Sequence, residues 1–180
     1  MNDKYRANLH YLKELLLRLG LVLILFSGCR LLFYGVHQSF FPTSDTATLL
    51  GIFLQAIRFD ITAIIYVNSV LILSYLIPSP WRAKQWYQSI QRFLFVGLNS
   101  LAILVECIDI GFFEFAFRRT IWSDLALFRN TIHLIPKYIV EYWYLLLVVF
   151  MMSGLMYWLY QKTTLRLPTT PATTWIQWLL

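Results

Sequence analysis

Two carboxylic acids lie inside a long apolar segment of the sequence. Glu106 and Asp109 are three residues apart and Asn99 precedes Glu106 by seven, so the three fall on nearly one side of a helix. Ionisable groups at membrane depth usually face a bundle interior or a wet cavity, where they relay protons or hold ions. We therefore treat this intramembrane polar stripe as a functional candidate. The alternative is that the three side chains form packing pairs near the outer interface.

Arginines just beyond this segment form a candidate site for lipid headgroups. Arg118 and Arg119 follow a run of phenylalanines, and a guanidinium fork suits bidentate contact with phosphate. Glu114 is spaced to pair with Arg118, which would leave Arg119 free. We predict Arg118, Arg119 and Arg58 as headgroup ligands. Interfacial anchoring by snorkelling arginines is the alternative.

Arg58 and Asp60 interrupt an apolar block, residues 49–77, that is too long for one perpendicular span. We expect a short interfacial helix to precede a span that begins at about Ile61. Asp60 would then cap the span or pair with Arg58, because an aspartate accepts hydrogen bonds from free N–H groups at a helix start. Headgroup binding, or a bridge from this segment to the third span, remains open.

No residue pattern indicates a metal or a cofactor in this chain. His10, His37 and His133 are isolated in separate segments, where we expect solvated side chains. Cys29 and Cys107 lie inside apolar blocks, where a structural disulfide between distant helices would be unusual.

The composition excludes an ordinary water-soluble domain. The chain is 59% hydrophobic and 13% charged, whereas soluble domains are about 25% charged. Its net charge of +6 comes from short basic groups between apolar blocks. This distribution favours anionic lipid or phosphate as a partner and argues against nucleic acid.

The hydropathy pattern predicts an all-α integral membrane protein with four transmembrane helices and the start of a fifth. A cytoplasmic leader (1–14) precedes a bundle (15–161), which is followed by a cytoplasmic linker (162–174) and the start of a truncated fifth span (175–180). The four spans are predicted at about 15–34, 61–77, 93–113 and 142–160. A cleaved signal peptide is the alternative for the first block, but that block exceeds a typical apolar region of about 7 to 15 residues.

The basic residues predict the orientation. With the N-terminus in the cytoplasm, nine lysines and arginines lie inside: three in the leader, Arg18 just after it, three in the second loop and two in the linker. Four lie outside. We therefore expect a multi-pass protein of a bacterial cytoplasmic membrane, in which a fifth span would deliver the following chain to the outer face.

Three features of the sequence together carry a family resemblance. They are the leader with the long first span, residues 56–63 running into 66–68, and residues 109–113 leading to 118–120. Together they resemble the lipoteichoic acid synthase-like family of the alkaline-phosphatase/sulfatase superfamily. The resemblance implies about five membrane spans and an outward-facing C-terminal α/β domain. It also implies phosphoglycerol transfer from a lipid donor, or ester hydrolysis, by a threonine nucleophile with a divalent metal such as manganese. Nucleophile and metal would belong to that domain, so no catalytic residue is assigned in this chain.

These expectations combine into a membrane module that anchors an extracytoplasmic transferase or hydrolase. Its partners would be membrane lipids, an anionic phospholipid donor and its own C-terminal catalytic domain. The donor would be presented by Arg118, Arg119, Glu106 and Asp109. A small transporter fragment that uses the intramembrane carboxylates, or a non-catalytic membrane scaffold, is the alternative.

Overall fold

Seven helical elements make up the described part of the chain. A computed structural model describes residues 3–41, 45–76, 81, 84–119, 121 and 135–163, and no strand occurs in these ranges. In chain order the elements are α1 (Asp3–Val36), a 3-10 turn (Gln38–Phe40), α2 (Thr46–Val67), α3 (Ser69–Leu76), α4 (Gln85–Ala116), α5 (Ile135–Glu141) and α6 (Trp143–Thr163).

Four of these helices are long and apolar enough to cross a membrane. The candidate spans are Tyr11–Val36, Thr46–Val67, Gln85–Glu114 and Trp143–Thr163. Even the shortest, with 21 residues, is about 30 Å long at roughly 1.5 Å per residue. Helices suit such sequences because every backbone polar group is bonded within the segment. The predicted all-α class with four long apolar helices is confirmed.

The predicted helix boundary at Asp60 is wrong. Helix α2 continues through Arg58 and Asp60, and the Thr62 hydroxyl donates to the Arg58 carbonyl across an intact turn, at 2.9 Å. Asp60 is therefore in a helix interior and caps no N-terminus. One continuous helix, Thr46–Val67, replaces the predicted interfacial helix and the span from Ile61. The break falls instead at Asn68, between α2 and α3.

Other boundaries also differ from the sequence prediction. Helix α1 begins at Asp3, inside the predicted leader, and α4 extends beyond the predicted third span at both ends. Tyr142 separates the short α5 from α6, so the fourth span begins after a turn. Residues 164–180, which hold most of the predicted linker and the predicted fifth span, lie outside the described residues.

The long helices alternate in direction, and we name the two ends of the bundle by a residue of α1. At the Arg18 end, the Arg18 guanidinium lies 3.6 Å from the centre of the Tyr160 ring of α6. At the Arg30 end, Arg30 contacts Asp60 of α2 at 2.5 Å. Helices α1 and α4 run from the Arg18 end to the Arg30 end, whereas α2, α3 and α6 run back.

Helix α4 occupies the centre of this arrangement and contacts α1, α2, α3 and α6. The buried core includes Val22 of α1, Ile103 of α4 and Met156 of α6. Large apolar side chains also cover the outer surface; Phe93 and Phe150, for example, are 77% and 76% exposed. A surface of this kind is typical of helices that face lipid.

Candidate functional site

Arg119 binds two acids of the predicted polar stripe. Its Nη2 lies 2.5 Å from Glu106 Oε2, and its Nε lies 3.0 Å from Asp109 Oδ2. The Asp109 side chain is 8% exposed, so its charge is largely removed from solvent. The expectation that Arg119 stays free is therefore wrong.

A reversal of the chain at the end of α4 directs Arg119 back along the helix. Phe117 has a left-handed conformation, with φ at 53°, and its N–H donates to the Phe113 carbonyl at 3.0 Å. Left-handed backbone is common after a helix but is usually occupied by glycine, which the sequence lacks here. The helical spacing rule that paired Glu114 with Arg118 assumed a helix that continues, and α4 ends at Ala116.

A second ion pair joins α1 to α2. Arg30 Nη2 lies 2.5 Å from Asp60 Oδ1, and the two side chains are 19% and 6% exposed. Asp60 Oδ2 and Arg30 Nη1 have no hydrogen-bond partner among the described residues, so one contact joins the pair. The sequence prediction assigned no role to Arg30, although a basic residue inside a predicted span requires a partner.

These two groups of charges form one network at the Arg30 end. Burial lowers the pKa of Arg119, but the carboxylates of Glu106 and Asp109, together with that of Asp60, outweigh burial and raise it. Arg119 is therefore charged at every physiological pH. Three carboxylates face two guanidiniums, which leaves one excess negative charge when all five groups are ionised. We call Arg30, Asp60, Glu106, Asp109 and Arg119 the ion-pair network.

Aromatic rings cover this network on one side. The Arg119 guanidinium lies 5.7 Å from the centre of the Phe33 ring. Phe33 and Phe113 flank the His37 imidazole, with centroids 4.7 and 4.8 Å away. His37 is fully buried, and its Nδ1 lies 3.0 Å from the Phe33 carbonyl oxygen, so the expectation of a solvated side chain is wrong. His133 and the side chain of His10 lie outside the described residues.

Asn99 does not join the ion-pair network. Its side-chain amide bonds to Asn68, at the break between α2 and α3, through two hydrogen bonds of 2.8 and 2.9 Å. Both side chains are fully buried. The predicted polar stripe on α4 is thus divided, because Asn99 binds α2 while Glu106 and Asp109 bind Arg119.

The other two predicted headgroup ligands are exposed. Arg118 lies 5.6 Å from the centre of the Phe112 ring, and its Nη1 donates to the Arg119 carbonyl at 3.3 Å. Arg58 lines a shallow cavity of about 350 Å³ with Gln55, Phe59 and Thr62. The proposed ion pair between Arg58 and Asp60 is replaced by the pair between Arg30 and Asp60.

Glu114 accepts a hydrogen bond from the Tyr142 hydroxyl, at 3.2 Å, and so joins α4 to the turn before α6. Burial raises the pKa of Tyr142 to about 12, and the bond to Glu114 adds to the effect. The same ring contacts Gly111, where an added Cβ would lie 3.4 Å from the ring edge.

A separate group of buried charges lies at the Arg18 end. Arg18 forms an ion pair with Glu14 one turn earlier, and the Arg18 side chain is 2% exposed. Its guanidinium stacks on Tyr160, and Tyr75 lies 5.6 Å from it. The sequence prediction counted Arg18 among the basic residues on the cytoplasmic side. The structure instead places it inside the bundle, where it joins α1 to α3 and α6.

Neither end of the described bundle contains a conventional metal centre. In the described ranges, no group of three or more His, Cys, Asp or Glu side chains is arranged to hold a metal ion. No protein-family model, curated protein or solved structure matches this chain significantly.

Proposed function

We propose that this chain is the membrane-anchoring module of an extracytoplasmic phosphoglycerol-transferase or sulfatase-like enzyme that acts on lipid-linked or cell-envelope substrates. One observation carries the proposal. Two of the segments on which the sequence resemblance rests, 56–68 and 109–120, contribute Asp60 and Arg119 to a single ion-pair network. Residues far apart in the chain thus build one polar centre at one end of the bundle.

The distribution of basic residues supports an outward position for this end. If the N-terminus is cytoplasmic, α1 carries Arg30 toward the outer leaflet, and the ion-pair network lies at that depth. A catalytic domain on the outer side would then meet lipid headgroups close to the network. The threonine nucleophile and the divalent metal expected from the resemblance would be supplied by that domain.

Within this proposal the arginines have different roles. Arg118 and Arg58 are exposed at the Arg30 end of the bundle, where a phosphate could approach them. Arg119 is a positioning residue, since its bonds to Glu106 and Asp109 tie the chain after α4 to the bundle. Arg118 is consequently held at the rim, beside Phe112.

The test is turnover of two substrates by the full-length enzyme in vesicles that contain phosphatidylglycerol. Arg118→Ala should reduce turnover of the membrane-embedded donor and spare a soluble phosphodiester. Lys84→Ala, a neutralised exposed cation before α4, is the matched control and should leave both unchanged. Equal loss of both activities in Arg118→Ala would remove the headgroup role.

The orientation has its own test. A cysteine introduced in place of Arg118 should react with an impermeant maleimide added outside intact cells, and one in place of Lys84 should not. The opposite labelling pattern would contradict the proposed orientation and, with it, an extracytoplasmic enzyme.

A small transporter fragment is the second candidate, because the bundle interior contains the carboxylates of Asp60 and Asp109. Each is bonded to an arginine, which makes a proton relay less favourable than in an unpaired acid. Proton-coupled uptake into vesicles that is abolished by Asp109→Asn would favour the transporter. A scaffold would show neither uptake nor donor turnover.

A further inference from the structure

Three sulfur-containing side chains from three helices belong to the core of the bundle. The Cys29 thiol of α1 donates to the Met152 thioether of α6, with the sulfur atoms 3.5 Å apart. Cys107 of α4 lies in the same buried core, where its thiol and that of Cys29 influence each other. Both cysteines are free thiols, and each is 1% exposed. We call Cys29, Cys107 and Met152 the sulfur cluster.

We propose that the sulfur cluster binds one soft monovalent metal ion, Cu(I). Thiolate and thioether ligands select Cu(I) over harder divalent ions, which prefer imidazole or oxygen donors. A structural zinc ion would require four ligands in a tetrahedral arrangement, and the sulfur cluster supplies three. A three-coordinate Cu(I) ion therefore matches both the number and the softness of the donors.

The separation of the Cys29 and Met152 sulfur atoms is close to that of two ligands in a trigonal site. Three sulfur ligands at about 2.3 Å from a central ion are separated from one another by about 4 Å. The 3.5 Å separation of Cys29 and Met152 must therefore widen by about half an ångström. The unbranched methionine side chain adapts readily to such a change.

Metal binding releases both thiol protons to solvent, because the thiolate is the form of cysteine that binds a metal ion. Two thiolates and one Cu(I) carry a single negative charge, against two for the same thiolates without the ion, so the ion lowers the cost of burying them. No oxidation or reduction is involved.

The neighbouring ion-pair network strengthens the attraction for a cation. Arg30 and Glu106 directly adjoin Cys29 and Cys107 in the chain, and the carboxylates of Glu106 and Asp60 act electrostatically on Cys29. With three carboxylates against two guanidiniums, the surroundings of the sulfur cluster carry an excess negative charge when all are ionised.

The experiment is a competition titration of the full chain, reduced and purified in detergent micelles, with Cu(I) held by the chromophoric chelator bicinchoninate. One Cu(I) per chain is expected, and X-ray absorption should show about three sulfur neighbours near 2.3 Å. Cys29→Ser and Cys107→Ser should each weaken binding at least about a hundredfold, and Met152→Leu about tenfold.

Met151→Leu is the matched control. Met151 precedes Met152 but is 66% exposed, so its substitution should leave Cu(I) affinity unchanged. Circular dichroism and the thermal midpoint without metal identify any variant that fails to fold. Ag(I), a redox-inert probe of the same softness, should raise the thermal midpoint of the unaltered chain and not that of the Cys29→Ser/Cys107→Ser double variant.

Two results would overturn the proposal. One is the absence of Cu(I) binding to the reduced, folded chain, which would mean that the sulfur cluster is an ordinary packing contact. The other is unchanged binding by the folded double cysteine variant, which would place the ion elsewhere. Neither result bears on donor turnover, so the anchoring function is tested independently.

Discussion

The side-chain amides of Asn68 and Asn99 form a reciprocal pair of hydrogen bonds in the core of the bundle, where both residues are fully buried from solvent. Each Nδ2 also donates to a carbonyl one turn earlier, that of Ile64 or Phe95, at 3.0 and 2.7 Å. Both N–H donors of each amide are thereby used. Since Asn68 is where α2 gives way to α3, the pair joins this break to the central helix.

Asn99→Ala should lower the free energy of unfolding by about 1 to 2 kcal/mol, because Asn68 loses partners in an apolar interior. The measurement is an SDS titration of the chain in mixed micelles. Leu101→Ala, on the exposed side of the same helix, should cost less. Replacing both asparagines by leucine should recover part of the loss, and strictly additive losses would show that the two amides do not interact.

Removing one partner of the ion pair between Arg30 and Asp60 should lower the free energy of unfolding more than replacing both partners by apolar residues. Asp60→Ala leaves a mostly buried guanidinium without its partner, and a loss of about 3 kcal/mol is expected in the same unfolding titration. The double variant Arg30→Leu/Asp60→Leu should lose less unfolding free energy than Asp60→Ala does. Arg58→Ala, an exposed position on the same helix, serves as the control. A double variant worse than either single change would contradict the pairing.

Arg119→Ala should destabilise the chain more than Arg118→Ala does, although the two residues are adjacent. Only Arg119 contacts both Glu106 and Asp109 in the described ion pairs. Its side chain is 46% exposed, so solvent screening limits the expected difference to about 1 kcal/mol. Equal unfolding free energies of the two variants would show that these contacts contribute little. Raised salt should reduce any difference.

Tyr142 should ionise at a higher pH than a solvated tyrosine, because its pKa is raised to about 12. The raised pKa means that the folded chain holds this proton more tightly than the unfolded chain does. The stabilisation is present below about pH 10 and is lost as pH rises to about 12. Ultraviolet titration should show the late transition disappear in Tyr142→Phe. In Glu114→Gln it should move to lower pH; an unmoved transition would exclude Glu114 as a cause.

Local spacing rules failed wherever the partner of a charge is distant in the chain. They placed a helix boundary at Asp60 because an acid inside an apolar block looks like a cap, yet its partner, Arg30, lies 30 residues earlier. They paired Arg118 with Glu114 because those residues are four apart. The actual contacts of Arg119 depend on the reversal at Phe117, a residue type that gives no signal for left-handed backbone.

The amino-acid sequence by itself determined the all-helical class and the four long apolar helices, because each such segment must satisfy its backbone hydrogen bonds internally and does so from its own composition. The tertiary structure alone decided which polar side chains meet. Arg30 with Asp60, Asn68 with Asn99, and Cys29 with Met152 are contacts between helices. Their partners follow from helix rotation and packing, which depend on the whole assembly of side chains and on no single stretch of sequence.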